Sequence, residues 1–279
     1  MVPNPARNDM TETELAPPSL AELFHENSKQ RRHHHAFYRR IASVNGNPAI
    51  HAIMSSTFRS YPGASTVALP EPVPRPVLDF DETVMQRRSI RHFSGEPLQL
   101  EDLSRLLRLG HGITGVLASP DEATRQPVRA APSGGAIFPV ELFPIVTAVN
   151  GVEAGVYHYH PARNVLELVR RGNQIDALGE ATCDPSTFQH AGVTIALAAS
   201  FGKTSFKYGE RGYRFVLLEA GHVAQNLLLA ATSAGLGAVA IGGFLDDDLN
   251  NLTGLDGVDE AVLYMVVIGE TPLSETQHA

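Results

Sequence analysis

From Tyr213 to Ala231 the chain repeats apolar residues at helical spacing, through Tyr213, Val216, Leu217, Ala220, Val223, Ala224, Leu227, Leu228 and Ala231, until Gly235-Leu-Gly237 stops them. A stripe this long and broad must be buried, and it is wide enough to serve both the chain's own sheet and a partner helix. The flanking segments supply a sheet. Leu142 to Val149, Gly155 to Tyr159, Val165 to Val169 and Val193 to Ser200 are rich in β-branched and aromatic residues, with turn formers at Asn150-Gly151 and Pro161-Ala-Arg-Asn164. Ala238 to Ile241 and Val262 to Ile268 predict two later strands, with a capped helical turn at Asp246-Asp247-Asp248 between them. Strands and helices in this order define an α+β chain.

Upstream, Leu103, Leu106, Leu107 and Gly110 mark a helix that ends at Gly110, and Asp81 is placed to cap a shorter one carrying Arg87 and Arg88. Residues Gly112 to Arg129 predict a loop. Ser19-Leu-Ala-Glu22 has the capping-box pattern, in which the Ser and Glu side chains satisfy free N–H groups of the first turn. The spacing predicts a helix through Leu20, Leu23 and Phe24 that continues past Lys29 toward Arg40. Five prolines between Tyr61 and Pro76 remove backbone donors and predict an extended connector. The expected organisation is a mobile arm over 1–18, a helical extension with a Pro-rich linker over 19–78, and a main domain over 79–279.

Composition removes several functions. The net charge of -8 argues against affinity built on nucleic-acid phosphates. One cysteine, Cys183, leaves no internal disulfide and no Cys-cluster metal site, which fits a reducing cytoplasm; its neighbours offer no basic companion to activate it, so a buried small residue or a helix end is expected there. No apolar run reaches the ~18 residues of a spanning helix, and Met1 to Leu15 lacks the apolar core of a secretory signal, so a cytoplasmic chain off the membrane is expected. His33-His34-His35 are adjacent on a helix and diverge, and the histidines of Tyr157-His158-Tyr159-His160 share one face of a strand. Neither reads as a metal site, and none is expected elsewhere.

Three motifs carry chemistry. Arg87, Arg88, Ser89 and Arg91 combine planar guanidinium forks with a hydroxyl, a set suited to a phosphate. Pro132-Ser133-Gly134-Gly135 lacks bulky side chains, so its backbone N–H groups and the Ser hydroxyl can approach a flat ring closely; Gly242-Gly243 offers the same opportunity. Lys207 and Tyr208 place an amine and a phenol just before the long helix. Their ordinary pKa values, ~10.4 and ~10, suit proton transfer at neutral pH only after burial or a neighbouring charge shifts them. Burial lowers a lysine, and an ammonium beside a phenol favours phenolate.

Together, Arg87-Arg88-Ser89-Ile90-Arg91-His92-Phe93, Ala131-Pro132-Ser133-Gly134-Gly135-Ala136 and Lys207-Tyr208 before Tyr213-Arg-Phe-Val-Leu-Leu-Glu-Ala-Gly-His222 resemble the flavin-dependent nitroreductase superfamily. Within it they resemble the SagB-type (ThcOx-like) dehydrogenases, and Phe24-His25-Glu26-Asn27-Ser28-Lys29 is similar to an element near the start of those chains. The resemblance covers roughly residues 20–270. It implies a nitroreductase-like fold with a central, mainly antiparallel sheet flanked by helices, a homodimer with FMN at the interface, and a 79–279 domain that binds the flavin. It assigns the phosphate to Arg87, Arg88, Ser89 and Arg91, the ring to Pro132, Ser133, Gly134, Gly135, Gly242 and Gly243, and proton removal to Lys207 and Tyr208. No Lys or Arg follows Arg214, a departure from superfamily members that put a late basic residue on the phosphate. The long 213–234 helix is the expected interface core.

The implied reaction is dehydrogenation of an azoline ring, thiazoline or oxazoline, in a peptide or carrier-bound precursor, with cyclodehydratase partners and oxygen to reoxidise the flavin. Two alternatives remain: an NAD(P)H-dependent reductase of nitro or quinone acceptors, which needs no protein base for hydride transfer, and a flavin-free scaffold of a peptide-modifying complex.

Overall fold

A computed structural model describes residues 17–50, 53, 58–71, 77–117, 125–182 and 184–272. The arm expected over 1–18 falls almost wholly outside these residues, as do Cys183 and the prolines of 72–76. The framework is a seven-stranded sheet. Its strands are β1 (Thr66–Ala68), β4 (Val140–Val146), β5 (Gly155–His160), β6 (Val165–Arg171), β7 (Val193–Ser200), β8 (Gly237–Ile241) and β9 (Glu260–Gly269), in the order β1-β6-β5-β4-β7-β9-β8. Every pairing between these strands is antiparallel. β1 lies within the stretch expected as a bare connector, where Val67 and Ala68 pair with Leu166 and Val165 at the sheet edge.

Alternation along the strands divides the interior in two. On one face Leu142, Val146, Ile195, Leu197 and Val266 pack with Leu103, Leu106 and Leu107 of helix α4 (Leu100–His111) and Val223, Ala224 and Leu227 of helix α7 (Arg211–Ser233). On the other, Phe143, Ile145, Ala196 and Val267 meet Leu178 of α5 (Ile175–Glu180), Phe188, and Leu249 and Leu252 of α8 (Asp246–Thr253). Helix α7 is long and apolar enough to cross a membrane by composition, yet half of its most apolar stretch is buried inside this fold. Its stripe therefore serves the chain's own core: Leu227 is 0% and Leu228 9% exposed. What α7 leaves outside is Tyr213, Leu217 and Leu218.

Several local expectations change. The first helix, α1 (Leu20–Asn27), has both bonds of its capping box but ends at Asn27, and α2 (His35–Asn45) starts anew. The break comes from distant residues: Arg211 donates to the Ser28 carbonyl at 3.1 Å and Arg214 Nε to Ser28 Oγ at 2.7 Å, so α7 takes the acceptors at the end of α1. Helix α3 (Phe80–Gln86) is capped by Asp79, whose carboxylate accepts from Glu82 N–H at 2.9 Å, and not by Asp81; Arg87 follows its last residue. The loop expected over 112–129 contains a hairpin, β2 (Ile113–Leu117) with β3 (Gln126–Arg129). The three aspartates at 246–248 occupy the first turn of α8, where negative charge suits the helix dipole, while Leu245 takes the cap position. Finally, Lys207 and Tyr208 belong to a helix of their own, α6 (Phe201–Tyr208).

Candidate active site

The register places three segments at one end of the sheet. Val140 pairs with Ala199, Ser200 with Glu260, and Ile241 with Met265. The loop before β4, the helix after β7 and Gly242-Gly243 after β8 therefore leave the sheet on the same side. Helix α6 continues directly from β7 and ends where Gly209, at φ 55° and ψ -143°, turns the chain into α7. This turn delivers Lys207 and Tyr208 to the loop of residues 131–139.

That loop is wound tightly. Gly135 has φ +68°, and the non-glycine residues Ala136 and Phe138 also have positive φ, at 54° and 52°. Such backbone costs of order 1 kcal/mol or more per side-chain-bearing residue and persists only where the surroundings hold it. Here Phe138 N–H donates to Ser133 Oγ at 2.9 Å, and the Phe138 ring is 3% exposed beneath the Arg129 guanidinium, 5.2 Å from its centroid. Gly135 needs no side chain and has room for none: a β-carbon there would stand 2.5 Å from Tyr208 Oη and 2.8 Å from Lys207 Nζ. Gly134 lies against Phe215, which in turn meets the Tyr208 ring edge-on at 4.9 Å.

Lys207 is 3% exposed, and neither its amine nor the Tyr208 hydroxyl has a hydrogen-bond partner among the described residues. Burial lowers the Lys207 pKa and raises that of Tyr208. Of the two shifts the sequence allowed, burial of the lysine is present and stabilisation of a phenolate is not: the phenol keeps its proton near neutral pH, and the lysine is the group moved toward the neutral, proton-accepting form.

Behind the loop sits a set of buried charges. Glu219 of α7 is 2% exposed, bonded to Ser133 and, at 3.4 Å, to Val140 N–H; burial pushes its pKa up to about 7. On the other side of the sheet His158, fully buried, bridges Glu167 at 3.0 Å and Glu141 at 3.2 Å, and Lys203 donates to Glu141 at 3.2 Å. Burial opposes ionisation of Glu141, but His158, Lys203 and Arg129 outweigh it and hold the carboxyl at about 2. Of these groups the sequence drew attention only to His158, as a strand histidine and not as part of a charge network; Glu219, Glu141, Glu167, Lys203 and Arg129 were not singled out. The available signal was a carboxylate in an apolar stripe: Glu219 stands among Val216, Ala220 and Val223, and Glu141 alternates with Phe143 and Ile145 on a core face.

The arginine motif lies elsewhere. Ile90 N–H donates to the Ala238 carbonyl at 3.0 Å, near the start of β8, whereas Gly242-Gly243 follows its end. Four strand residues separate these points by roughly 13 Å. Arg87 is half-buried and Arg88, Ser89 and Arg91 are exposed; Arg88 is tied to the Met85 and Arg87 carbonyls at 2.9 Å, while Arg87 and Arg91 have no partner among the described residues. Thus Ser133, Gly134, Gly135, Lys207 and Tyr208 converge, with Pro132 at the exposed start of their loop. Gly242-Gly243 leave the same end of the sheet but from its edge strand β8, two strands from β7, and Arg87 to Arg91 lie toward the opposite end of β8. Among the described residues no group of three His, Cys, Asp or Glu side chains could hold a metal ion.

The antiparallel sheet is covered on both faces by helices, and residues 84–270 match the Nitroreductase family, an oxidoreductase superfamily. The chain belongs to that family, whose members generally bind FMN. It is 35% identical over 175 residues to the protein MJ1384 of Methanocaldococcus jannaschii, whose name places it provisionally among nitroreductases; the match covers 63% of this chain and 84% of that one. It is 31% identical over 163 residues to the microcin B17-processing protein McbC of Escherichia coli, covering 57% of this chain and 59% of McbC. Its fold matches a chain of the E. coli microcin synthetase McbBCD complex with truncated pro-MccB17 bound, with a TM-score of 0.55 at 24% identity over 92% of this chain and 99% of that one.

Proposed function

We propose that this chain is an FMN-dependent dehydrogenase, of the SagB type, that converts azoline rings in a peptide precursor to azoles. The observation that carries the reading is the placement of Lys207 Nζ and Tyr208 Oη, both without hydrogen-bond partners among the described residues, against the left-handed backbone of Gly135. Similarity to McbC, a peptide-processing protein, supports it.

The residues fit the flavin. Gly134 and Gly135 add no side chains of their own beside Phe215, Lys207 and Tyr208, and Arg87 and Arg91 hold guanidinium groups, unpaired among the described residues, for a phosphate. Because the arginine motif and the Gly135 loop do not meet within one chain, a complete site calls for both halves of a homodimer, and Tyr213, Leu217 and Leu218 on α7 with Phe80 and Met85 on α3 provide exposed apolar surface for it. Bound FMN would supply the acceptor for a hydride from the azoline ring, and oxygen would reoxidise it.

The protein's own part is the proton. Loss of two hydrogens from the ring sends one away as hydride and one as a proton, and the buried Lys207 amine is the acceptor for the latter. Tyr208, still protonated, donates a hydrogen bond to the ring heteroatom and orients it. Ser133, held by Glu219 and by Phe138 N–H, fixes the loop on which both lean. Cyclodehydratase partners that form the azoline belong to the same proposal.

The test is anaerobic mixing of the flavin-loaded protein with an azoline peptide and, separately, with NADH. Bleaching of the flavin absorbance by the peptide, with the azole as product, is expected. Rapid bleaching by NADH and none by the peptide would instead favour a reductase, the activity that the name of MJ1384 suggests for that relative.

A further inference from the structure

A cavity of about 610 Å³ separates residues 27–40 from the α6–α7 turn, and Tyr208 forms part of its wall. Its charge is unlike that of the chain. Lys29, Arg39, Arg40 and Arg211 line it against one carboxylate, Glu210, in a protein of net charge -8. Arg211 is engaged with the Ser28 carbonyl and Lys29 with Glu26, but Arg39 and Arg40 have neither hydrogen bond nor ion pair among the described residues. Arg40 reaches the turn itself: its Nη1 lies 2.7 Å from the β-carbon position of Gly209, the residue after Tyr208. His33, His34 and His35, which look like a solvated run in the sequence, are on the same wall.

We propose that this cavity binds a carboxylate-bearing segment of the peptide substrate, an Asp or Glu side chain near the azoline ring. The proposal rests on the dehydrogenase reading above and adds a substrate class to it. The volume falls in the range of ligand sites, ~300–1,000 Å³, and is continuous with the residue that orients the ring. Arg39 and Arg40, two guanidinium groups unpaired among the described residues, offer forked donors that match a carboxylate. An acidic peptide is repelled by the chain as a whole, so a local reversal of sign selects where it lands. Arginines 211 and 214 fix the end of α1 to α7, and thereby hold one wall of the cavity in place.

The experiment uses two fluorescent azoline peptides that differ in one residue beside the ring, Asp in one and Asn in the other. Binding to the full-length, flavin-loaded protein is measured by anisotropy at low and high salt, for the parent chain and for the double variant Arg39→Gln, Arg40→Gln. The Asp peptide should bind roughly tenfold more tightly, as expected for one or two charge-assisted bonds at an exposed site. That preference should vanish at high salt and in the variant. Equal affinities for the two peptides in the parent, or an undiminished Asp preference in a variant whose melting temperature is unchanged, would overturn the proposal. Should the variant fail to fold, the salt dependence of the parent decides. Turnover measured alongside separates the two ideas: Asp-selective binding without ring oxidation upholds the cavity and removes the azoline reading, while oxidation of both peptides at equal affinity does the reverse.

Discussion

Gly135 and Tyr208 are in contact through the absence of a side chain: the left-handed Cα of one faces the phenol oxygen of the other, with 2.5 Å between that oxygen and the place of a β-carbon. Replacement of Gly135 by Ala therefore meets two obstacles, a φ of +68° and two polar groups that must move. A loss of about 1–3 kcal/mol in stability is expected, together with displacement of Lys207 and Tyr208 and a large fall in ring oxidation. Thermal denaturation and a turnover assay check both. A parent-like melting temperature and rate would mean that the loop yields freely.

Two buried glutamates give the stability a pH signature with opposite slopes. Glu219 rises from an ordinary 4.5 to about 7 on folding, so between those values the folded state binds more protons than the unfolded one, and stability falls as pH rises through that window. The change amounts to about 3 kcal/mol at ~1.36 kcal/mol per pKa unit. Glu141 is held at about 2, so its contribution is present above pH 4.5 and is lost as pH falls toward 2. Chemical denaturation across the range should show a maximum near pH 4.5 to 5 from this pair. Glu219→Gln should remove the decline on the neutral side and leave the acid side intact.

The same helix offers an internal control for association. Leu218 is 59% exposed, whereas Leu227 is 0% exposed in the chain's own core. Leu218→Glu is expected to give a folded monomer by light scattering if α7 joins two copies. Leu227→Glu places an unpaired carboxylate in apolar surroundings, at a cost of several kcal/mol, and is expected to unfold the protein. A Leu218→Glu protein that remains dimeric would move the interface away from this face.

Arg87→Ala and Arg91→Ala should each weaken FMN binding by about 1.5–3 kcal/mol per charge-assisted bond lost. Flavin should then separate from the protein on dilution or gel filtration. Retention of the full flavin absorbance by both variants would place the phosphate elsewhere.

How much of this was legible in the sequence follows the range of the forces involved. The strands around Val193 and Val262 and the helix that carries Leu227 announce themselves by local period, and they are where period puts them. The break after Asn27 was not legible, because Arg211 and Arg214, far along the chain, make it. Helix α6 was hidden by Gly202, Thr204 and Ser205, weak helix formers that tertiary packing overrides. The hairpin at 113–129 was masked by Gly115, Pro120 and Pro127, residues that read as turn formers. Motif residues Ser133, Gly135, Lys207 and Tyr208 were readable by type, yet their meeting at one point depends on the register of β4 with β7. Glu219 and Arg129 were missed because a single charge in an apolar run looks like a surface residue until its neighbours in space are known.

The most direct measurement concerns Lys207. Rates of anaerobic flavin reduction by an azoline peptide, followed against pH, should rise as the buried amine loses its proton, at a pH below the usual lysine range because burial lowers its pKa. Lys207→Met should slow that step by ~10²–10⁴-fold and abolish the pH limb, while dithionite still reduces the bound flavin. Reduction by the peptide at the parent rate, with the same pH profile in the variant, would contradict the assignment of Lys207 as the proton acceptor.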